Sequence, residues 1–521
     1  MKVFHFLEKS VCDHPQNIAV IHLDRKITYL ELHNFSGCLA SFLKGLSLNP
    51  GSRIALLWDN SIEYVSLFFA TFKANLVLVP LDTSLRPETN STIIADCGAE
   101  ILFIQSKYLR HLEKIIGDTT SLSYIVSDRQ VLIERPSIQT GVLDDITKEF
   151  PDPIVAAGDQ IFDPATASDE LAAIFYTSGS TGLSKGVMLS HRNLISNTVA
   201  TVAYLELTHS DRIMVILPYY YIYGNSLLLT HVAVGGTQVI DNRFMYPEVV
   251  LDTMEKERAT GFSGVPSTFM ILLNKSSFVS RDLLNLRYFT QAGGAMSPEI
   301  IKKLMAVFPE KDIYIMYGQT EASPRVSYLP PAQLKKKIGS IGIPVPGVTI
   351  KIVDKNGINL PVGEIGEITV RGENVMLGYW NHAEEESKVL RNGVLYTGDL
   401  GKQDKDGYFY VVGRMKEIIK TGGNRVSAKE VEERILEHNN VEEVAVFAVE
   451  DDLLGEAVKS VVVLKDPQAS DEKEIQDFCK QTLAVHKVPK YVEFINALPK
   501  TQSGKVNKIL LASKDKKISR D

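Results

Sequence analysis

Short apolar runs rich in β-branched residues recur along the early part of the chain, and stretches with helical periodicity separate them. The runs include IAVI (18–21), RIALLW (53–58), LVLVPLD (76–82) and EILFI (100–104). Between two of them, SIEYVSLFFATFKA (61–74) repeats apolar residues at the spacing of a helix. Strands that alternate with helices predict layered α/β structure with parallel sheets.

The pattern changes after residue 345, where VTIKIVD (348–354) and EITVRG (367–372) are closely spaced and separated by turns with Gly and Asn. This spacing predicts a smaller β-rich region, antiparallel or barrel-like. Nearer the C-terminus, the helical stretch AKEVEERILEHN (428–439) lies beside the apolar runs 441–450 and 458–466. These elements predict a compact α+β unit of about a hundred residues, which is a normal domain size.

We therefore predict an α/β protein with two domains. Residues 1–413 would form a large N-terminal domain of layered α/β subdomains plus the β-rich region. Residues 417–521 would form a small C-terminal α+β domain, with 414–416 joining the two. A chain of 521 residues is long enough for this, because each part can bury a sizeable core.

Composition narrows the classes of function. Apolar residues make up 45% of the chain and charged residues 23%, which is typical of soluble globular proteins. The net charge of −7 gives no sign of nucleic-acid binding. The longest apolar region (66–81) is interrupted by Lys73 and Asn75, so it predicts a buried helix followed by a buried strand, and no transmembrane segment.

Cysteine usage and the N-terminus both favour a cytoplasmic location. The cysteines are scattered, with neither metal-ligand spacing nor a dense disulfide framework, which fits a reducing compartment. They are Cys12, Cys38, Cys97 and Cys479. The N-terminal apolar run is broken by Glu8 and does not resemble a signal peptide.

One short stretch concentrates glycine, serine and threonine around a lysine: IFYTSGSTGLSKGVMLSHRNL (174–194). It joins a buried strand, LAAIFYT (171–177), to a helix, HRNLISNTVATVAYL (191–205). Glycines let backbone N–H groups approach an anion, hydroxyls add donors, and Lys185 adds a positive charge. The stretch therefore predicts a site for a polyphosphate.

Spacing argues against a Walker loop here and against a nucleophile elbow at Ser178 or Ser180. A Walker loop requires G-x-x-x-x-G-K-[ST], but Gly179 is followed five residues later by Ser184 and Gly182 by Val187. A nucleophile elbow requires a serine with glycines two residues away on both sides, which neither Ser178 nor Ser180 has. A plain Gly/Ser linker would leave Lys185 unexplained.

Five motifs follow one another along the chain: YTSGSTGLSKGV (176–187), MYGQTEAS (316–323), YTGDLG (396–401), GRMKEIIKTGGNRVSAKEVE (413–432) and LPKTQSGKV (498–506). In content and order they resemble the signature motifs of the adenylate-forming superfamily, which includes acyl-CoA synthetases, amino-acid adenylation domains and firefly luciferase. The resemblance covers nearly the whole chain, and the chain looks most like an acyl-CoA synthetase.

The resemblance implies a reaction in two halves. A small-molecule carboxylate attacks the α-phosphate of ATP and gives an acyl-adenylate and pyrophosphate. A thiol, belonging to CoA or to phosphopantetheine on an acyl carrier protein, then displaces AMP. Mg²⁺ is the implied metal, and a homodimer is left open.

The first two motifs would bind the phosphates. The resemblance implies that the β- and γ-phosphates are held by Thr177, Ser178, Gly179, Ser180, Thr181, Gly182 and Lys185. Thr320 would donate to the α-phosphate, and Glu321 would hold Mg²⁺, which prefers carboxylate and phosphate oxygens. Tyr317 would lie against adenine, with Gly318 beside it in the nucleotide site.

Two further segments would complete the nucleotide site. Asp399 would accept both ribose hydroxyls and Arg414 would also reach the ribose, although a turn is the structural alternative for Asp399. QAGGAMSPEI (291–300) resembles the adenine-binding segment, where small residues leave room for a flat ring: Gly293, Gly294 and Ala295. The same segment also fits a turn into a helix, with Ser297 as N-cap and Pro298 as the first helical residue.

Two lysines are implied in catalysis and motion. Lys505, in TQSGKV, would bring a positive charge to the carboxylate and α-phosphate during attack. Lys416 matches the position about which the small domain of the family rotates between the two half-reactions. The C-terminal domain is therefore expected to be mobile.

The acyl pocket is implied by LPYYYIYGNS (217–226), where Tyr221 stands in place of the histidine of many relatives. Ile222 occupies the position of the aspartate that pairs with the ammonium of α-amino acids in relatives that activate them. An apolar residue there would leave a buried ammonium unpaired, so an α-amino-acid substrate is disfavoured. Gly294 and the segment 260–271 are small or apolar, which favours a fatty or aromatic acid, although core packing explains Phe269 or Met270 equally well.

Several alternatives stay open at this point. A kinase or ATPase could use the same ATP site, an inactive relative could serve as a binding protein, and luciferase-like oxidation has no specific support. Fatty acyl-AMP ligases are less favoured because they usually carry an insertion. The sequence does not separate CoA from a carrier-protein acceptor.

Overall fold

The structure is a computed structural model that describes residues 1–149, 163–178, 184–451, 453–500, 506–508 and 510–512. Some predicted site residues lie outside the described residues: Gly179, Ser180, Thr181, Gly182 and Lys505. Of Ser178, only the backbone is described.

The α-helices alternate with strands through most of the chain. The helices of the described residues are α1 (His5–Asp13), α2 (Tyr29–Gly45), α3 (Ile62–Lys73), α4 (Pro87–Cys97), α5 (Leu112–Ile116), α6 (Leu143–Glu149), α7 (His191–Leu205), α8 (Ile222–Val234), α9 (Pro247–Lys256), α10 (Pro266–Lys275), α11 (Pro298–Val307), α12 (Ala383–Val389), α13 (Ala428–Leu436) and α14 (Glu472–Lys480).

The strands are short in the first half of the chain and longer after it. Those of the described residues are β1 (Ile18–His22), β2 (Arg25–Thr28), β3 (Arg53–Leu57), β4 (Val77–Pro80), β5 (Ile101–Ile104), β6 (Tyr124–Ser127), β7 (Gln139–Val142), β8 (Leu171–Ser178), β9 (Ser184–Ser190), β10 (Arg212–Val215), β11 (Thr237–Ile240), β12 (Gly261–Gly264), β13 (Tyr288–Gln291), β14 (Asp312–Gly318), β15 (Arg325–Leu329), β16 (Ile343–Pro344), β17 (Thr349–Val353), β18 (Gly366–Arg371), β19 (Gly378–Tyr379), β20 (Leu390–Arg391), β21 (Val394–Gln403), β22 (Phe409–Arg414), β23 (Ile418–Thr421), β24 (Asn424–Ser427), β25 (Val441–Asp451), β26 (Gly455–Leu464) and β27 (Tyr491–Phe494).

Two large sheets with parallel centres carry the first part of the chain. Within the described residues, one has nine strands in the order β16-β15-β14-β13-β12-β10-β11-β1-β2, and the other has eight in the order β19-β9-β8-β4-β3-β5-β6-β7. In the first sheet, β10 to β14 and β1 pair in parallel, and antiparallel strands close the two edges. This arrangement confirms the predicted α/β fold.

Two smaller sheets follow. β17, β18, β20, β21 and β22 form an antiparallel sheet, as the change of spacing after residue 345 predicts. β23 to β27 form a separate sheet in which, among the residues described, only β26 and β27 pair in parallel. Helices α13 and α14 pack with this last sheet around a core of Val431, Ile435 and Ile475. The chain therefore has a large N-terminal domain and a smaller C-terminal one.

Local signals set several helix starts. The Ser61 side chain accepts the N–H of Tyr64 at 3.2 Å and caps α3. Ser297 caps α11 by accepting the N–H of Ile300, and Pro298 is its first residue, as predicted. Helix α3 and strand β4 are buried, as the interrupted apolar pattern predicts. Among the described residues, no helix combines the length and apolar character needed to cross a membrane.

The structure corrects one prediction about the glycine-rich stretch. We expected it to lead directly from a strand into a helix, but Ser184–Ser190 forms a strand that pairs antiparallel with β8. The physical reason is that this segment buries Val187 and Leu189 beside β8, while the helix-capping signal comes only at Ser190. The stretch therefore belongs to a β-hairpin, with Thr177 opposite Lys185, and not to a helix N-terminus.

Candidate active site

A tight hairpin positions the second motif. Strands β14 and β15 pair antiparallel, with Gly318 opposite Arg325, and Thr320–Ala322 forms a short 3-10 turn between them. A Cβ atom on Gly318 would lie 1.8 Å from the carbonyl oxygen of Pro324, so only glycine fits there. Thr320 and Glu321 thus follow the carboxyl end of β14, the edge where ligands bind in open α/β sheets.

Asp399 joins this hairpin to the third sheet. Its Oδ2 accepts a hydrogen bond from the Tyr317 hydroxyl at 2.6 Å, and its Oδ1 lies 3.0 Å from Nε of Arg414. Burial and the adjacent Asp399 raise the pKa of Tyr317 well above its usual value, so its hydroxyl stays a donor. Asp399 lies within β21 opposite Arg414 on β22, so the turn alternative is wrong. Three predicted nucleotide-site residues therefore meet.

A second set of contacts surrounds Lys185. Its ammonium lies 2.5 Å from Oε2 of Glu385 and 5.4 Å from the centre of the Tyr379 ring. The Tyr379 hydroxyl donates to Oε1 of Glu321 at 2.8 Å, and burial and Glu321 raise the pKa of Tyr379. Hydrogen bonds from Lys185 and Lys388 lower the pKa of Glu385 to about 2, so it is ionised. A phosphate that binds Lys185 must therefore compete with a carboxylate.

Sequence reasoning missed Tyr379 and Glu385. The signal that could have found them is the aromatic pair at 379–380, followed after three residues by three consecutive glutamates, 384–386. What makes them part of the site is pairing: β19 adds to β9, and the N–H of Trp380 donates to the carbonyl of Gly186 at 2.8 Å. These contacts attach the glycine-rich hairpin to the segment that carries both side chains.

The small residues of QAGGAMSPEI lie in a bend at the carboxyl end of β13, the strand next to β14. Gly293 has φ +85°, and a Cβ atom there would lie 3.1 Å from Val265. The Gln291 amide donates to the carbonyl of Gly294 at 2.7 Å, and both Gly294 and Ala295 are exposed. The structure thus presents an open bend of small residues beside the end of β14.

Tyr221 and Ile222 begin helix α8, where Tyr221 is the N-cap position. The Tyr221 hydroxyl donates to Oδ2 of Asp82 at 2.9 Å, and Ile222 is buried. Phe269 is fully buried, with ring centres 5.9 Å from Phe262 and 6.0 Å from Phe289. The aromatic packing of Phe269 favours the core alternative for that residue.

Glu321 has the features of a single-carboxylate magnesium ligand. Its Oε1 accepts from Tyr379, while Oε2 makes no hydrogen bond to any residue that the structure describes. No group of three or more His, Cys, Asp or Glu side chains that could hold a metal occurs in the described ranges. Mg²⁺ is commonly held by one or two carboxylates together with substrate phosphates, and the single carboxylate of Glu321 fits that coordination.

Arg414 ends β22, and the residues after it form a short 3-10 turn, Met415–Glu417, in which Lys416 is exposed. The C-terminal sheet then begins at Ile418. Its helix α13 contacts β22 through the ammonium of Lys429, which donates to the carbonyl of Val411 at 2.6 Å. The exposed turn lies directly between Arg414, a predicted nucleotide-site residue, and the small domain.

The chain is similar to known CoA ligases along most of its length. The chain is 31% identical over 520 residues to a long-chain-fatty-acid–CoA ligase of Escherichia coli O6:H1, covering 96% of this chain and 92% of that one. It is 34% identical over 497 residues to a feruloyl-CoA synthase of Amycolatopsis sp, covering 95% of each.

Solved structures are similar over nearly the full length. The anthranilate CoA ligase AuaEII in complex with anthranoyl-AMP has a TM-score of 0.89 at 28% identity, covering 99% of this chain and 97% of that one. ATP-bound MatB from Rhodopseudomonas palustris has a TM-score of 0.88 at 30% identity, covering 99% and 100%.

Two family descriptions match the chain in sequence order. Residues 7–380 match the AMP-binding enzyme family, and residues 430–505 match the AMP-binding enzyme C-terminal domain. With the motifs and the Tyr317–Asp399–Arg414 contacts, these matches show that the chain belongs to the AMP-binding, adenylate-forming enzymes, and within them it is most like an acyl-CoA synthetase.

Proposed function

We propose that the protein is an ATP-dependent ligase that adenylates a carboxylic acid and transfers the acyl group to CoA, releasing AMP and pyrophosphate. The observation that carries this proposal is the meeting of Tyr317, Asp399 and Arg414 beside the hairpin that bears Thr320 and Glu321. The names of the relatives, which are CoA ligases, support CoA as the acceptor thiol.

Each residue has a role that its surroundings support. Asp399 accepts the ribose hydroxyls, because a carboxylate has about four acceptor positions and only two are occupied by Tyr317 and Arg414. Thr320 donates to the α-phosphate from the turn. Glu321 holds Mg²⁺ with its uncommitted oxygen, and bound Mg²⁺ neutralises phosphate charge.

The remaining roles concern the two ends of ATP and the acid. When the Lys185 ammonium separates from Glu385, it holds the departing pyrophosphate. The hydroxyl of Thr177, which lies opposite Lys185 in the hairpin, holds the pyrophosphate with it. Lys505 supplies positive charge during the attack. The acid has a fatty or aromatic body, because Ile222 offers no partner to an α-ammonium group.

A panel of carboxylic acids with ATP and Mg²⁺ tests this proposal. AMP and pyrophosphate should appear only with an accepted acid, and added CoA should give the acyl-CoA thioester. ADP and orthophosphate would identify a kinase or ATPase, and thioester formation only on a phosphopantetheinylated carrier protein would refute CoA as acceptor. Glu321→Gln should slow acid-dependent ATP–pyrophosphate exchange by tenfold or more, whereas Glu364→Gln, which changes an exposed turn residue, should not.

Two further proposals concern location and assembly. We propose a cytoplasmic location, supported by the scattered cysteines, which form no disulfide within the part of the chain that the structure describes. A homodimer is the second proposal, and light scattering of the purified protein tests it directly.

A further inference from the structure

A buried guanidinium lies behind the active-site hairpin. Arg325 is the first residue of β15, four residues after Glu321, and is only 2% exposed. Its Nη2 donates to the Ser226 hydroxyl at 3.2 Å, and its guanidinium carbon lies 4.2 Å from the centre of the Tyr223 ring. Its Nε is buried and has no hydrogen-bond partner among the residues described.

Arg325 lacks the anionic partner that a buried charge normally has. No carboxylate in the described part of the chain forms an ion pair with it. Arg287 is more exposed, with 35% of its side chain accessible, yet it pairs with Asp211 at 3.0 Å. Burying an ion costs free energy that only a counter-ion and full hydrogen bonding offset. Arg325 is therefore a buried cation for which a bound anion would supply the missing counter-ion.

The groups around Arg325 form a connected polar cluster, which we call the Arg325 cluster. Tyr223 lies within hydrogen-bond distance of the hydroxyl of Thr290, at 3.0 Å, and Thr290 lies 2.6 Å from the hydroxyl of Ser263. Ser226 completes the cluster and is also buried. Thr290 and Ser263 lie towards the carboxyl ends of the parallel strands β13 and β12, the edge at which α/β sheets bind ligands.

The cluster joins two elements that the proposed function assigns to the substrates. Tyr223 and Ser226 belong to helix α8, whose first turn carries the proposed acyl-pocket residue Ile222. Arg325 comes from the hairpin whose turn carries Thr320, the proposed contact of the α-phosphate. The guanidinium thus lies between the element proposed to hold the acid and the one proposed to hold the reacting phosphate.

We infer that Arg325 binds a second carboxylate on the acid, and that the preferred substrates are dicarboxylic acids whose remote carboxylate reaches this guanidinium. The inference rests on the proposed ligase function. A planar guanidinium with free N–H groups matches the two oxygens of a carboxylate, which neither a methyl nor an amide end group can reproduce. The ring of Tyr223 holds the cation in place beneath the bound anion.

The first experiment uses the unaltered protein. Acids of equal length that end in methyl, carboxamide or carboxylate are compared by kcat/KM in ATP–pyrophosphate exchange, in one aliphatic and one aromatic series. The carboxylate-ended acid of at least one series should be used at least tenfold better than both matched acids. If no carboxylate-ended acid is preferred in either series, the inference is wrong.

Variants then assign the preference to Arg325. Arg325→Met should abolish or reverse the preference for the carboxylate end while the KM for ATP changes less than threefold, and Arg325→Lys should keep part of it. Arg129→Met, which removes an exposed arginine of the same domain, should leave the preference unchanged. An Arg325→Met protein that is folded and loses activity equally with all three end groups would show a structural arginine and overturn the inference.

A variant that does not fold and a failure of the ligase proposal itself are distinguished from the outcomes above. If Arg325→Met does not fold, the inference is judged on the preference of the wild-type protein and on the Arg325→Lys variant, because both keep a positive charge at position 325. If no acid of any kind releases pyrophosphate, the ligase proposal itself fails. Exchange with monocarboxylic acids alone leaves the ligase proposal standing and refutes the dicarboxylic one.

Discussion

Replacing Asp399 by asparagine should weaken ATP binding with little loss of stability. In the proposed complex, Asp399 accepts two ribose hydroxyls as a carboxylate. Hydrogen bonds to charged groups are worth about 1.5–3 kcal/mol and neutral ones about 0.5–1.5, so the change removes about 1 kcal/mol from each. The sum of about 2 kcal/mol corresponds to a rise of about 30-fold in the KM for ATP.

The same change should cost the fold little. Asparagine keeps an acceptor oxygen for the Tyr317 hydroxyl, so that buried group stays satisfied. The lost ion pair involves Arg414, whose side chain is 58% exposed, and pairs of this kind contribute at most about 1 kcal/mol. Urea unfolding should therefore detect a loss in the free energy of unfolding of about 1 kcal/mol or less.

The assay is acid-dependent ATP–pyrophosphate exchange at varied ATP, with 2′-deoxy-ATP as a second substrate. Asp404→Asn is the matched control, because Asp404 lies in the turn after β21, where it pairs with Lys337 at 2.7 Å on the same sheet. The rise in KM on going from ATP to 2′-deoxy-ATP should be smaller in Asp399→Asn than in the wild-type protein, because the mutation and the missing hydroxyl affect the same interaction. A KM for ATP that changes less than threefold, or equally in both variants, would refute the ribose role.

Three other predictions concern the hinge, the acyl pocket and pH. Lys416→Pro fixes one backbone dihedral of the exposed turn and should keep ATP–pyrophosphate exchange while losing most thioester formation, whereas Lys505→Ala should do the reverse. Lys355→Pro, in a remote turn, is the control. Equal loss of both half-reactions in the Lys416 and Lys505 variants would contradict domain rotation. Tyr221→Ala should change which acids are accepted much more than it changes the KM for ATP, and unchanged acid selectivity would place Tyr221 outside the pocket. Burial, reinforced by nearby positive charges, lowers the pKa of His191 to about 3, below its value in the unfolded chain. As the pH falls, the unfolded state therefore binds the proton first, and the stabilisation that is present above about pH 6.5 is lost. Between pH 7.5 and 5 this loss is about 2 kcal/mol, and His191→Asn should remove it from the pH dependence of urea unfolding, which an unchanged dependence would disprove.

The sequence by itself determined many of the helices and strands and the identity of the nucleotide motifs. Helix α7 runs from His191 to Leu205, the range that its pattern predicts, and Ser297 caps α11 as expected. These features depend on apolar periodicity and on hydrogen bonds between residues three apart, so they can be read locally. The order of the motifs likewise needs no coordinates.

The hairpin after the glycine-rich stretch could not be read in this way. Residues 184–190 become a strand because β8 on one side and β19 on the other supply backbone partners. Pairing of this kind is a property of neighbours in space, and β19 comes almost 190 residues later in the chain. Local pattern therefore placed the helix correctly and missed the strand before it.

Only the tertiary structure decided which charged groups are paired. It brings Glu385 onto Lys185 from 200 residues away and the Tyr317 hydroxyl onto Asp399 from 82 residues away. It also buries Arg325, which in the sequence is one arginine among many, and leaves it without a carboxylate among the described residues. Desolvation and ion pairing depend on what surrounds a side chain in three dimensions, so the sequence could single out Lys185 and Asp399 but neither their partners nor the burial of Arg325.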